Sequence, residues 1–237
     1  MRACKLKRQP FFYGWWVVLS CAITALWAGA LFYGITAFVK PISDEFGWSY
    51  FAISLAVSIR SVEMGLLSPV AGFLADRFSP RKVTFLSCLM SGAGLLLLSR
   101  TDSIVMFYIA FFIIAVSFSG LGQAVITTAV ANWFKKKMGR ATGFAVAGYG
   151  VGGILIPLIA WLVAHYGWRL SLVVLGLSSW VLILPMSLLL RHKPEQYGYS
   201  VDGKSPAASV AVHSKIDPVH PAEAELTTGR AIRTKVF

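Results

Sequence analysis

Charged side chains are scarce in this sequence. Asp, Glu, Lys and Arg make up 14% of the 237 residues, against about 25% in a typical soluble domain, while 57% are hydrophobic. A chain this apolar cannot cover its surface with groups that water solvates, so lipid is the expected solvent. The net charge of +12 does not indicate nucleic-acid binding, because the cations lie in short stretches between apolar runs.

Cysteine and catalytic motifs are equally sparse. Cys4, Cys21 and Cys88 show no metal-ligand spacing, and the last two lie inside apolar runs as small hydrophobic residues. The sequence has no Walker loop and no Ser-His-Asp arrangement, and its four histidines lack partners at ligand spacing. We therefore expect no enzyme activity, no cofactor and no metal site.

What the sequence does contain is long apolar runs, each near the roughly 20 residues that a membrane helix needs. Backbone groups in hydrocarbon must pair within their own segment or within a closed barrel, and the alternating pattern of a barrel is missing. The runs therefore predict an all-α membrane protein, with Lys40-Pro41 ending the first helix. They cover approximately 14–38, 50–75, 82–99, 104–131, 141–164 and 169–190.

The distribution of cations predicts the orientation. Thirteen Lys and Arg lie in the 1–13, 76–82, 132–140 and 191–193 stretches, on one side of the predicted bundle, and three lie on the other. The positive-inside rule then places both termini in the cytoplasm, in a plasma or inner membrane. We expect three parts: a cytoplasmic N-terminus (1–13), a six-helix membrane domain (14–190) and a cytoplasmic loop with a disordered tail (191–237). Pro69 and Pro157 occupy matching positions in two three-helix halves, which is typical of inverted repeats.

The loop between the second and third runs carries the first motif. Asp76 is expected to cap the following helix, since a helix N-terminus favours an anion. Gly72 is followed four residues later by Asp76-Arg77 and then, after a tight turn, by the paired cations Arg81 and Lys82. This spacing resembles the corresponding loop of major facilitator superfamily transporters, although Ser79 stands where that family usually has Gly. The resemblance implies a gating role for five residues: Gly72, Asp76, Arg77, Arg81 and Lys82.

A second motif, in 133–148, resembles the stretch entering the fifth helix of monocarboxylate-transporter-like members of that superfamily, and oxalate/formate-type antiporters are an equal candidate. Its residues are Trp133, Phe134, Lys136, Lys137, Ala141, Gly143, Ala145, Ala147 and Gly148. The resemblance implies twelve helices in two domains, of which this chain has the N-terminal six. A second six-helix half or a homodimer would then complete the protein, and membrane lipids are the other expected partner.

Arg60 and Glu63 fall near the middle of an apolar run. A charge at the bilayer centre costs at least ~2.5–3.5 kcal/mol on insertion scales, so both side chains should face a partner or water. Their spacing puts them on one helix face. Two interpretations stay open: a structural ion pair, or a site in which Arg60 binds a carboxylate and Glu63 carries a proton.

Other candidates follow from the resemblance or from packing. In the family the first, second, fourth and fifth helices line a central cavity, which implies substrate contacts for Trp27, Tyr33, Gln123 and Tyr149. For each of these residues alone, packing or interhelical hydrogen bonding is the alternative interpretation. A small-residue face allows close helix packing or a hinge, at Gly143, Gly148, Gly152, Gly153 and Pro157. The resulting hypothesis is secondary transport of a small organic anion, a mono- or dicarboxylate, by proton coupling or exchange. The alternative is a non-transporting membrane fragment or a structural or regulatory membrane partner.

Overall fold

The computed structural model describes residues 13–190, where every regular element is helical. The predictions for 1–12 and for the 191–237 tail lie outside the described residues. The elements are α1 (Gly14–Gly34), α2 (Thr36–Phe46), α3 (Tyr50–Phe78), α4 (Pro80–Ser99), α5 (Ile104–Gly120), α6 (Gln123–Ala131), α7 (Met138–Gly152), a 3₁₀ turn (Gly153–Leu155) and α8 (Ile156–Leu189).

Five segments are long and apolar enough to cross a membrane, where the sequence predicted six. The prediction of an all-helical membrane bundle is confirmed for the described residues. The difference in number arises because the last two predicted helices form one segment of 52 residues. The five are Gly14–Phe46, Tyr50–Phe78, Pro80–Ser99, Ile104–Ala131 and Met138–Leu189.

The 52-residue segment is not straight. A straight helix would place Gly148 and Met186 about 57 Å apart, at 1.5 Å per residue. Instead, both pack against the same part of α1: Gly148 lies against Ala22, and the Met186 carbonyl accepts a 2.6 Å hydrogen bond from the Ser20 hydroxyl. The chain therefore doubles back, and the non-helical residue is Gly167, with φ 78° and ψ 162°. This agrees with the gap between the predicted runs 141–164 and 169–190.

Charged residues connect this reversal to the end of α2 and to the α4–α5 loop. Arg169 Nη2 lies 2.9 Å from Glu45 Oε1, at the end of α2, and 3.4 Å from Asp102 Oδ1, in the α4–α5 loop. The indole Nε1 of Trp168 donates a 2.5 Å hydrogen bond to the other oxygen of Glu45. Each exposed ion pair contributes little by itself, but together they fix the reversal to two other helix ends.

Proline does not end the first membrane segment, which corrects the prediction at Lys40-Pro41. α2 continues through Pro41 to Phe46 and stops at Gly47, whose φ of 67° is left-handed and whose N–H donates to the Ser43 carbonyl. Proline is tolerated in membrane helices, whereas a left-handed glycine is a common helix terminator. The extra turns bring Glu45 to Trp168.

The turn between α3 and α4 is a single residue, Ser79. α3 runs to Phe78, past the predicted end near Asp76, and α4 begins at Pro80. Ser79 is the one non-glycine residue with positive φ among those described, at φ 120° and ψ 138°. A residue with a side chain is strained at these φ and ψ angles. Glycine would relieve the strain, and glycine is the residue that the resembling family usually has at this position.

Ser79→Gly should therefore stabilise the protein by about 1 kcal/mol, since a sparsely populated φ/ψ combination costs a non-glycine residue on the order of 1–3 kcal/mol. The Ser79 side chain makes no capping hydrogen bond that would be lost. The measurement is the midpoint of thermal unfolding in detergent. Ser103→Gly is the matched control, because Ser103 has φ −136° and caps Met106, and it should not raise the midpoint. An unchanged or lower midpoint for Ser79→Gly would contradict the strained conformation.

Candidate functional site

A cavity of about 260 Å³ lies between α1, α3 and α5–α7. Drug-sized ligands occupy pockets of roughly 300–1,000 Å³, so this cavity suits a smaller solute. Its walls are mainly apolar and aromatic, with a few polar groups. The lining residues are Ala28, Gly29, Phe32, Tyr33, Met64, Phe118, Leu121, Gly122, Gln123, Val146 and Tyr149.

Three of the four residues expected to contact substrate line this cavity. Tyr33, Gln123 and Tyr149 come from α1, α6 and α7, and the fold brings them together. Trp27 is not among the lining residues. It is 9% exposed within the main core cluster, and its indole Nε1 has no hydrogen-bond partner.

The cavity wall contains a broken helix. The apolar run 104–131 was predicted as continuous, but it divides at Leu121 and Gly122 into α5 and α6. The Tyr149 hydroxyl donates a 2.7 Å hydrogen bond to the Leu121 carbonyl, which helps to satisfy the backbone that the break releases. Gly122 and Gln123, where α6 starts, line the cavity, so the N-terminus of a nine-residue helix faces it.

Arg60 is buried next to this cavity. Its side chain projects from α3 and the residue is 3% exposed. The guanidinium carbon lies 4.7 Å from the ring centre of Phe32 and 5.7 Å from that of Phe118, and both residues line the cavity. Nε and Nη1 of Arg60 have no hydrogen-bond partner. Two aromatic rings therefore contact the cation. Arg60 itself is not among the lining residues, and two of its donor atoms are buried without a partner behind those rings.

Glu63 lies one turn from Arg60 but does not pair with it. The salt bridges found between described residues join Arg169 to Glu45 and Asp102, so the structural ion pair considered from the sequence is not formed. Oε2 of Glu63 is buried without a hydrogen-bond partner. The α3 segment thus carries two ionisable side chains with unpartnered buried atoms, three residues apart.

The residues expected to gate lie away from the cavity, at the end of the bundle that carries Arg77, Arg81 and Lys82, here called the cationic end. Gly72 is half-buried, and a Cβ added to it would lie 3.7 Å from the Cβ of Ala124, whereas the four charged residues are exposed. Asp76 does not cap α4, whose first turn has no side-chain cap. Since α3 continues to Phe78, the Asp76 carboxylate belongs to the last turns of α3.

The small-residue positions divide into two groups. A Cβ on Gly148 or Gly152 would collide with backbone atoms of α1, whereas one on Gly143 or Gly153 would meet nothing within 4 Å. Close packing therefore holds only for the first two. Pro157 follows the 3₁₀ turn Gly153–Leu155, in the first turn of α8.

Sequence reasoning missed Phe32, Phe118, Leu121 and Gly122. Aromatic residues are too common in membrane helices for Phe32 and Phe118 to be distinguished by pattern. The break did have a signal: the stretch from Ser117 to Gln123 contains two Ser and two Gly within an apolar run. Serine hydroxyls that bond back to the preceding turn bend helices, and those of Ser117 and Ser119 do so here.

Comparison with known proteins adds to this geometry. The chain is 28% identical to the oxalate:formate antiporter of Oxalobacter formigenes over 76% of this chain and 42% of that protein. It is 30% identical to monocarboxylate transporter 2 of Homo sapiens (69% and 34%) and 26% identical to monocarboxylate transporter 12 of Xenopus laevis (69% and 36%). The chain thus spans less than half the length of these relatives.

The family model described as the Major Facilitator Superfamily matches residues 6–235, nearly the whole sequence. This match agrees with the apolar helices, and the family together with the names of the relatives points to a transporter rather than an enzyme. The chain is an integral, multi-pass membrane protein that belongs to the Major Facilitator Superfamily.

Proposed function

We propose that this chain forms half of a secondary transporter for a small organic anion, a mono- or dicarboxylate. The observation that carries the proposal is Arg60, a buried cation with unpartnered donors beside a small cavity. Relatives whose names specify oxalate, formate and monocarboxylates support the same class of solute.

Three features in or next to the cavity favour an anion. A guanidinium matches carboxylate geometry with two parallel hydrogen bonds. The N-terminus of α6 adds unpaired N–H groups and the positive end of a helix dipole, an arrangement that transporters use at broken helices. Tyr33 and Gln123 supply side-chain donors from two walls. Trp27 supports the wall from the core.

Glu63 is the candidate for proton coupling. One oxygen of its carboxylate is buried without a hydrogen-bond partner, and a proton on Glu63 would balance the charge of an entering anion. Exchange of one anion for another needs no such proton. A comparison of uptake by wild type and Glu63→Gln with and without a proton gradient distinguishes the two modes.

The architecture proposed with this function is six membrane helices in two inverted three-helix repeats, with both termini cytoplasmic. The reversal at Gly167 supports six, because it divides the longest segment into two. Alternating access requires two bundles around one site, so a second six-helix half or a second copy would complete the transporter. The exposed residues Asp76, Arg77, Arg81 and Lys82, with Gly72, would gate it, and Gly148 and Gly152, which lie against α1, would provide the moving contact.

Arg60→Ala should reduce uptake of labelled oxalate, formate or lactate into liposomes by about 10–100-fold. A hydrogen bond to a charged group is worth roughly 1.5–3 kcal/mol, and each 1.4 kcal/mol is a factor of ten. Arg60→Lys keeps the charge but not the planar fork, so it should retain part of the uptake. Arg100→Ala, an exposed cation beyond the end of α4, is the control. Equal uptake by wild type and Arg60→Ala would remove Arg60 from the site.

A second candidate is a non-transporting membrane protein that acts as a structural or regulatory partner. The observation in its favour is that the chain spans less than half the length of its relatives. Cross-linking in native membranes separates the candidates. A homodimer or a six-helix partner, together with uptake, supports transport, whereas a monomer without uptake supports the second candidate.

A further inference from the structure

A second groove lies at the cationic end, between α3, α4 and α5. Its volume is about 410 Å³, and it shares no lining residue with the cavity beside Arg60. Its walls are apolar except for two serines and Lys82, the single charged residue that lines it. We propose that this groove, here called the α3–α4 groove, binds an anionic phospholipid, with one acyl chain between the helices and the headgroup phosphate at Lys82.

The length of the groove fits one acyl chain. On α3 the lining residues extend from Leu67 to Phe78, which is about 16 Å at 1.5 Å per residue. Half of a hydrocarbon core of about 30 Å is about 15 Å. A groove that starts at the first turn of α4 and runs this far therefore reaches from the membrane interface to the bilayer midplane.

The groove is open along this length. Its wall residues Val70, Phe78 and Leu86 are 51%, 56% and 59% exposed. Val116 and Gly120 of α5 contribute to the remaining wall. The apolar wall of the groove is complementary to an acyl chain, because neither the wall nor the chain has polar groups that need hydrogen bonds.

Charge selects the lipid class. Lys82 lies at the end of the groove where α4 begins, and Arg77 and Arg81 are exposed in the adjoining turns. A cation close to the membrane surface attracts anionic lipid by about 1 kcal/mol, which corresponds to about five-fold in affinity. The combination of an apolar groove one leaflet long and a cation at its interfacial end fits phosphatidylglycerol better than a zwitterionic lipid.

The test is a lipid titration of the purified 237-residue chain in detergent, followed by thermal unfolding. Phosphatidylglycerol should stabilise the chain at about five-fold lower concentration than phosphatidylcholine with the same acyl chains. Lys82→Gln should abolish this preference, while Lys40→Gln, which removes an exposed cation on α2, should keep it. Inorganic phosphate and glycerol phosphate should not reproduce the shift, because they lack the acyl chain.

A groove-filling variant tests the acyl site separately. Val70→Trp should weaken stabilisation by both lipids, whereas Val62→Trp, on the same helix but outside the groove and 62% exposed, should not. Equal responses to the two lipids with no effect of Lys82→Gln would overturn the proposal. So would a full shift with inorganic phosphate, or a lipid-independent disulfide between two copies of the Leu86→Cys variant. None of these readouts depends on transport.

Discussion

Gly152→Ala should lower the midpoint of thermal unfolding markedly, whereas Gly153→Ala, one residue later, should leave it unchanged or raise it. A Cβ on Gly152 would collide with the Leu26 carbonyl oxygen and lie 2.7 Å from the Ala30 backbone nitrogen. These are backbone atoms of α1, so no side chain can rotate away. Overpacking of this kind costs roughly 1–3 kcal/mol, and α1 packs against both α7 and α8, so the displacement would reach much of the bundle.

The neighbouring glycine is a strict control for this effect. A Cβ on Gly153 meets nothing within 4 Å, and Ala has the higher helix propensity, by up to about 1 kcal/mol. The same comparison can be made one turn earlier with Gly148→Ala and Gly150→Ala, where only the first collides with α1. Similar midpoints for the two members of either pair would show that α1 and α7 do not approach as closely as described.

These glycines show what sequence could and could not predict about packing. The small-residue stretch was visible, and so was the possibility of close helix contact. Which glycines make that contact depends on the rotation of α7 against α1, and nothing in a run containing Gly at 143, 148, 150, 152 and 153 encodes that rotation. Only the three-dimensional structure separates Gly152 from Gly153.

The membrane segments were predictable because hydrocarbon forces helices on any long apolar run. The run 82–99 therefore agrees closely with α4. Helix ends and breaks were harder, because tertiary partners compensate for them. The break at Leu121 is stabilised by the Tyr149 hydroxyl, 28 residues away, and hydropathy cannot detect such a partner.

The candidate site was likewise predictable only in part from the sequence. Arg60 could be singled out from the sequence, because a charged side chain in a membrane helix is costly and therefore usually has a partner or a function. Its surroundings were not, because the sequence offered Glu63 as the nearest partner and the structure places the rings of Phe32 and Phe118 there instead. Three other site residues were proposed from family resemblance, and the structure brings them to one cavity: Tyr33, Gln123 and Tyr149.

The reversal at Gly167 gives the second large effect: Gly167→Ala should destabilise the protein by about 1–3 kcal/mol. At φ 78° and ψ 162°, the backbone lies in a region that is essentially restricted to glycine. A Cβ there would meet nothing within 4 Å, so the loss would come from backbone strain and not from a collision. The measurement is the free energy of unfolding, or the midpoint of thermal unfolding where unfolding is irreversible.

Gly65→Ala provides the matched control, because Gly65 lies inside α3, has ordinary helical geometry and also has open space around its Cα. There Ala should be neutral or stabilising by up to about 1 kcal/mol. The sign at Gly167 then tests whether the 52-residue segment divides there. If α8 were one continuous helix, Gly167→Ala would stabilise as Gly65→Ala does. Destabilisation at Gly167 but not at Gly65 would require the chain to turn at Gly167. Where there is space for a Cβ, the Gly→Ala substitution lowers stability only if the glycine has a non-helical backbone conformation.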